Sequence, residues 1–227
     1  MRTIKLILTT IVTLTSLNAF AIPITATTGS DFTVDYDAIG GSPVVSIDGL
    51  SAQVRYYDFN FAYDAIGDVT TVGFDFDVYN NSSLPILTSR ISTIGFNTTP
   101  NVVLGSSSVS GIFNTVNDGN VPNQGVVELC FTGVNCAGGG RGGVGIGDTL
   151  SGLASLSFLG EWDSFDFDNF TVRYQSVSCT DAFVNSGGIC PGSASGSYTT
   201  KVPEPGVVGL LAMGLIGIAV ARRKLTI

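Results

Sequence analysis

The sequence predicts an all-β fold, an antiparallel β-sandwich or jelly-roll-like domain, flanked by an N-terminal signal-peptide helix and a single C-terminal transmembrane helix. Three observations carry the β assignment. Aromatic and aliphatic residues alternate with polar ones in several runs of strand length; Gly, Asn, Asp and Ser separate those runs; and no amphipathic helix of useful length precedes the C-terminal tail.

At the front, Arg2 and Lys5 precede an apolar, Thr-rich stretch from Leu6 to Leu17, and Ala19-Phe20-Ala21 supplies a small-residue exit. This is the pattern of a secretory signal peptide over residues 1–21, cleaved after Ala21 by signal peptidase. Strands follow at Phe32 to Tyr36 and Pro43 to Ile47. From Tyr57 to Asp64, YDFNFAYD places Tyr57, Phe59, Phe61 and Tyr63 on one face and Asp58, Asn60, Ala62 and Asp64 on the other. VGFDFDVY repeats the alternation with Val72, Phe74, Phe76 and Val78, and Ala65 to Asp68 between the two runs reads as a hairpin turn in which Gly67 is free to take positive φ.

Further strands are expected at Ile86 to Phe96, Val102 to Leu104, Ile112 to Val116, Val126 to Phe131, Leu153 to Leu159 and Phe165 to Val177. In the last, Phe165 and Phe167 share one phase and Phe170, Val172 and Tyr174 the other, which a bulge near Asp168-Asn169 reconciles. The β-domain is therefore placed at 22–177. From Ser178 to Lys201 the apolar periodicity gives way to Ser, Thr and Gly, the composition of a linker pinned by a disulfide loop.

Between the two ends, Arg55, Arg90, Arg141, Arg173 and Lys201 oppose seventeen Asp and Glu, a balance of −12. A field of that sign repels nucleic acid and anionic headgroups. Histidine is absent, which removes the Ser-His-Asp and Cys-His mechanisms and every His-containing zinc site. Four cysteines, Cys130, Cys136, Cys179 and Cys190, read as two disulfides in an exported chain. Three pairings are open; the local one, Cys130 with Cys136 and Cys179 with Cys190, is preferred because each pair encloses a short turn-rich loop.

Three constellations bear on chemistry. The Gly-rich stretch Gly138 to Gly147 lacks the Lys-Ser/Thr of a P-loop and a following helix, so it reads as a mobile connection. Alternating acids at Asp35 and Asp37, at Asp75 and Asp77, and at Asp163, Asp166 and Asp168 offer oxygen ligands for Ca²⁺, against a solvated strand face as the plainer reading. No cofactor is otherwise expected. Glu161 to Asp166, EWDSFD, loosely resembles the catalytic strand of some β-sandwich glycosidases, with Glu161 and Asp163 as candidate carboxylates and Trp162, the sole tryptophan, as a candidate sugar platform.

The C-terminus carries the most specific signal. Val202, Pro203, Glu204 and Pro205 precede sixteen uncharged, mostly apolar residues and the basic run Arg222, Arg223 and Lys224. That order over residues 202–227 resembles the PEP-CTERM sorting signal of exported Gram-negative bacterial proteins. The resemblance implies recognition by an exosortase after passage through the general secretion machinery, with delivery to the cell surface or extracellular matrix. It also implies the company of exopolysaccharide and biofilm production. Sixteen residues at about 1.5 Å each fall short of a bilayer core of about 30 Å, so the tail is expected to tether the chain to the inner membrane only transiently. The expected role is structural or adhesive and not enzymatic; a carbohydrate- or calcium-dependent binding module is the alternative, and a carboxylate glycosidase the third reading.

Overall fold

The alternation in the sequence is realised in a computed structural model that describes residues 23–40, 45–139 and 142–198. The strands are β1 (Ile24–Thr27), β2 (Phe32–Gly40), β3 (Val45–Asp64), β4 (Val69–Tyr79), β5 (Ile86–Thr99), β6 (Ser108–Gly111), β7 (Thr115–Val121), β8 (Gly125–Thr132), β9 (Val144–Gly145), β10 (Thr149–Leu159), β11 (Ser164–Cys179) and β12 (Ser193–Tyr198); one short helix, α1 (Asp181–Asn185), joins the last two. The signal peptide, the sorting motif Val202 to Pro205, the apolar tail and the basic run Arg222 to Lys224 lie outside the described residues. Among those residues, no helix is long and apolar enough to cross a membrane.

All strand pairs are antiparallel, as expected. Two separate packed sheets are not what forms. One twelve-stranded sheet runs β6-β10-β4-β3-β2-β12-β11-β5-β8-β7, with β1 added to β11 and β9 to β5. It curls into a nearly closed barrel because its longest strands, β3 with 20 residues and β11 with 16, bend at bulges and keep hydrogen-bonding neighbours along their length. The ends of the sheet meet through the β6–β7 connection. Ile112 N donates to Ser151 O on β10 at 3.1 Å, and Asn114 N donates to Thr132 O on β8 at 3.3 Å. Between them Phe113 is buried, stacked on Phe76 at 6.3 Å. Gly111 permits this crossing: its φ is 96°, and a Cβ there would meet Ser151 O at 2.6 Å.

The expected strands at Val102 to Leu104 and Ile112 to Val116 are corrected accordingly. The first is irregular chain leading into a 3-10 turn at Leu104–Ser106, and the second is the seam crossing followed by β7. Val45 to Ile47 and Tyr57 to Asp64 belong to the single strand β3, and the expected strand's first two residues, Pro43 and Val44, lie outside the described residues. In β3 the register shifts by one residue between the pairs Tyr57↔Asp75 and Asn60↔Gly73, and Asp58 is left-handed with φ 57°. Ala52, Val54 and Tyr56 point inward before this bulge and Phe59 after it. Tyr57, expected on the face of Phe59, therefore turns outward beneath the Arg55 guanidinium, 4.6 Å from its ring centre. In the β3–β4 turn the positive φ falls on Asp68 (48°), not on Gly67.

The bulge expected in β11 is present: the register with β5 shifts between Asp168 and Thr171, and Asn169 takes φ 47°. It lets Phe165, Phe167 and Phe170 all enter the core. Phe167 sits at the centre, with the rings of Phe32, Tyr56, Phe59, Phe74, Phe96, Phe165 and Phe170 between 4.5 and 6.0 Å away.

Residues expected in a linker contribute a strand. Disulfides join Cys130 to Cys136 and Cys179 to Cys190, the preferred pairing. The second closes a loop holding α1, whose first turn is capped by Thr180 Oγ1 accepting from Phe183 N. The chain then returns as β12 between β11 and β2. SASGSY shows no apolar alternation because the slot admits only small side chains: a Cβ on Gly196 would lie 2.8 Å from Asp37 O and 2.9 Å from Val172 Cγ1.

Three tyrosines, Tyr36, Tyr56 and Tyr174, are fully buried, and burial pushes each hydroxyl above its ordinary pKa of 10.0. Each is harder to ionise folded than unfolded. The stability they contribute is intact below pH 10 and declines as pH rises beyond it. The urea midpoint should accordingly fall above pH 10. Tyr174 Oη has no hydrogen-bond partner among the described residues. Tyr174→Phe should therefore flatten that fall while changing neutral-pH stability by no more than about 1 kcal/mol. Phe167→Ala, by contrast, should cost about 3–5 kcal/mol in the same unfolding measurement.

Candidate functional site

The β3–β4 hairpin turn and the connection from β10 to β11 meet at one end of the barrel. β10 follows β4 as far as the pair Leu159↔Val69, which sets the β10–β11 turn beside the β3–β4 hairpin. Gly160, at φ 89°, starts the turn, and its N–H donates to Asp68 O at 2.8 Å. Thr70, fully buried, locks the two turns together: its hydroxyl donates to Gly160 O at 2.7 Å and accepts from Trp162 N at 3.0 Å. The indole is oriented from its own turn, with Nε1 donating to Leu159 O at 2.6 Å.

This arrangement leaves Trp162 about two-fifths exposed (41%), beside Tyr63 at 40%. The two rings, with Phe61, Glu161 and Asp163, line a cleft of about 520 Å³. Phe61 is itself backed by Phe165 at 6.1 Å. Trp162 also borders a smaller hollow of about 270 Å³ with Thr99, Pro100 and Asp166. Tyr63 Oη donates to Asp68 Oδ1 at 2.9 Å. That bond, together with the charges of Asp68, Glu161 and Asp64, holds its hydroxyl above the usual phenol range. The cleft thus offers aromatic faces and carboxylate acceptors, and among the described residues no Lys or Arg lines it.

Glu161, Trp162 and Asp163, singled out in the sequence, line this one cleft, and the sequence does not reveal Tyr63 and Phe61 as their partners. Those two come from a strand about a hundred residues earlier in the chain, and only the β4–β10 register brings them in. The calcium candidates Asp163, Asp166 and Asp168 are not gathered together. Asp163 precedes β11 and accepts from Ser164 Oγ at 3.1 Å, whereas Asp166 accepts from Thr25 Oγ1 on β1 at 2.5 Å. No group of three or more acids, cysteines or histidines suited to a metal occurs among the described residues. Asp35 and Asp37 border a separate cleft of about 460 Å³ on β2 and β3, where Asp35 accepts from Gln53 Nε2 at 2.8 Å.

The Gly-rich connection, expected to be mobile, is pinned along its described part. Val144–Gly145 pairs with β5, and Val144 is fully buried. Arg90 Nη1 donates to Gly142 O, and Arg173 Nε donates to Ala137 O at 3.2 Å. Arg173 is buried and also donates to Ser195 Oγ at 3.1 Å and Ser193 Oγ at 2.8 Å. The connection therefore turns carbonyl oxygens towards cations, opposite in polarity to a phosphate cradle.

A family model for the PEP-CTERM protein-sorting motif matches residues 201–224. The motif makes this chain an exported substrate of exosortase, sorted to the cell surface. No curated protein sequence shows significant similarity to the chain, and neither does any solved structure.

Thr70→Val keeps the side-chain volume but strands Gly160 O and Trp162 N. It should cost about 1–3 kcal/mol and move Trp162 emission to longer wavelength, read by fluorescence at neutral pH.

Proposed function

We propose that the protein is a structural and adhesive component of the cell surface or extracellular matrix, acting by binding and not by catalysis. The sorting motif at 201–224 carries this reading, since it commits the chain to exosortase and to the outside of the cell. In this reading the signal peptide 1–21 directs the chain into the secretion machinery. The apolar segment from Gly206 to Ala221 then halts export, with Arg222, Arg223 and Lys224 held on the cytoplasmic side of the inner membrane. The span is too short for a comfortable permanent anchor, so the tether is temporary and Pro203-Glu204-Pro205 is presented for processing.

The chemistry of the chain favours binding over turnover. With no histidine in the sequence, acid–base catalysis would rest on carboxylates alone. Of the carboxylates proposed for that work, Glu161 and Asp163 share the Trp162 cleft. A carbohydrate-directed binding module is the second reading, favoured by the exposed rings of Tyr63 and Trp162 beside those acids.

Intact-mass measurement of the protein from an exosortase-positive host should give a chain that begins at Ile22 and lacks Gly206 to Ile227. Replacing Pro203, Glu204 and Pro205 by alanine should leave the full tail in place and the protein in the inner-membrane fraction. A native mature mass that still includes the tail would rule out the temporary tether.

A further inference from the structure

The cleft beside Trp162 combines three features that the barrel alone does not require. Two large aromatic rings, Tyr63 and Trp162, are left exposed, while seven others pack around Phe167. The turn presenting the indole is held by a buried threonine and by the indole's own N–H, so the ring is oriented in advance. Among the described residues its acids, Glu161 and Asp163, have no cationic neighbour lining the cleft. At about 520 Å³ the hollow lies within the span of small-ligand sites, roughly 300–1,000 Å³.

The geometry points to a saccharide subsite, selective for chains of neutral or amino-bearing sugars and closed to polyuronates. The inference rests on the adhesive reading above and names the polymer class that such adhesion would engage. A pyranose ring has one face of C–H groups that packs on an aromatic surface, while its hydroxyls lie around the edge. Trp162 and Tyr63 supply the surface, and Glu161 and Asp163 supply strong acceptors for the hydroxyls. An ammonium group on the sugar gains further from the carboxylates and from the indole face. A carboxylated sugar meets uncompensated negative charge in a protein whose overall charge is already −8. A second hollow that Trp162 also lines, about 270 Å³, offers the polymer a neighbouring place to continue.

Trp162 is the only tryptophan in the chain, so intrinsic tryptophan fluorescence reports on this cleft alone. The full chain, held in micelles of a detergent without a sugar headgroup, would be titrated with gluco-, glucosamine and galacturonate oligomers. The first two should shift the emission to shorter wavelength and protect it from acrylamide quenching, and the galacturonate oligomer should do neither. Tyr63→Ala should weaken the response by about tenfold or more, with Tyr63→Phe close to the wild type. Glu161→Gln should weaken glucosamine binding more than binding of the neutral oligomer. No response to any saccharide, an equal response to the galacturonate oligomer, or unchanged binding by Tyr63→Ala would overturn the assignment. Surface delivery is read separately, by the mature mass and cell fractionation, so a failed titration with normal delivery refutes the subsite and leaves the sorting and adhesive reading standing.

Discussion

A nearly closed sheet must fill its interior, and here the filling is a mass of aromatic rings meeting at Phe167. Strict alternation along a strand could not deliver them all, because a barrel of this curvature bends its long strands. The two longest strands solve the problem in the same way. In β3, Tyr56 and Phe59 flank left-handed Asp58; in β11, Phe167 and Phe170 flank left-handed Asn169. Each bulge carries the inward phase across a spacing of three residues, and the two aromatic pairs then pack on one another, with Tyr56 5.6 Å from Phe167 and 6.0 Å from Phe170. Asp and Asn suit this conformation because their short polar side chains tolerate positive φ better than other non-glycine residues.

How far the sequence discloses this depends on what occupies the bulge. In β11 the phase change is visible, since Asp168 and Asn169 are both polar and the aromatic residues on either side fall out of step. In β3 an extra aromatic, Tyr57, disguises it and makes an unbroken alternation from Tyr57 to Tyr63 look correct. β12 is hidden for a different reason. Its neighbours approach so closely that only Ser, Ala and Gly fit at its buried positions, and a strand built of small residues has the composition of a linker. The sorting tail lies at the opposite extreme, being a linear signal that needs no fold to be read. The Trp162 cleft is intermediate: one of its turns is conspicuous in sequence, and the other is supplied by long-range register.

The few cations of the domain are distributed unevenly. Arg90 and Arg173 are engaged with the Gly-rich connection and the serines of β12, and Arg55 pairs with Asp31 on the outer surface. The hydrogen bond from Arg55 is the main reason that the Asp31 carboxyl lies below its usual range. None of these three lines the Trp162 cleft, which therefore keeps the acidic character that the overall composition gives the protein.

The position of β12 also bears on how the molecule carries load. Tyr198 ends the strand only five residues before Pro203, a reach of no more than about 18 Å even if fully extended. β12 is an interior strand, with ladders to β11 on one side and β2 on the other. Tension on the C-terminus, whether from a membrane tether or from whatever succeeds it after sorting, therefore enters through the middle of the sheet. Pulled along its own direction, such a strand strains both ladders at once, where an edge strand pulled sideways would yield one bond at a time. Fluid drag on a surface-bound copy would thus be resisted in shear by the wall of the barrel.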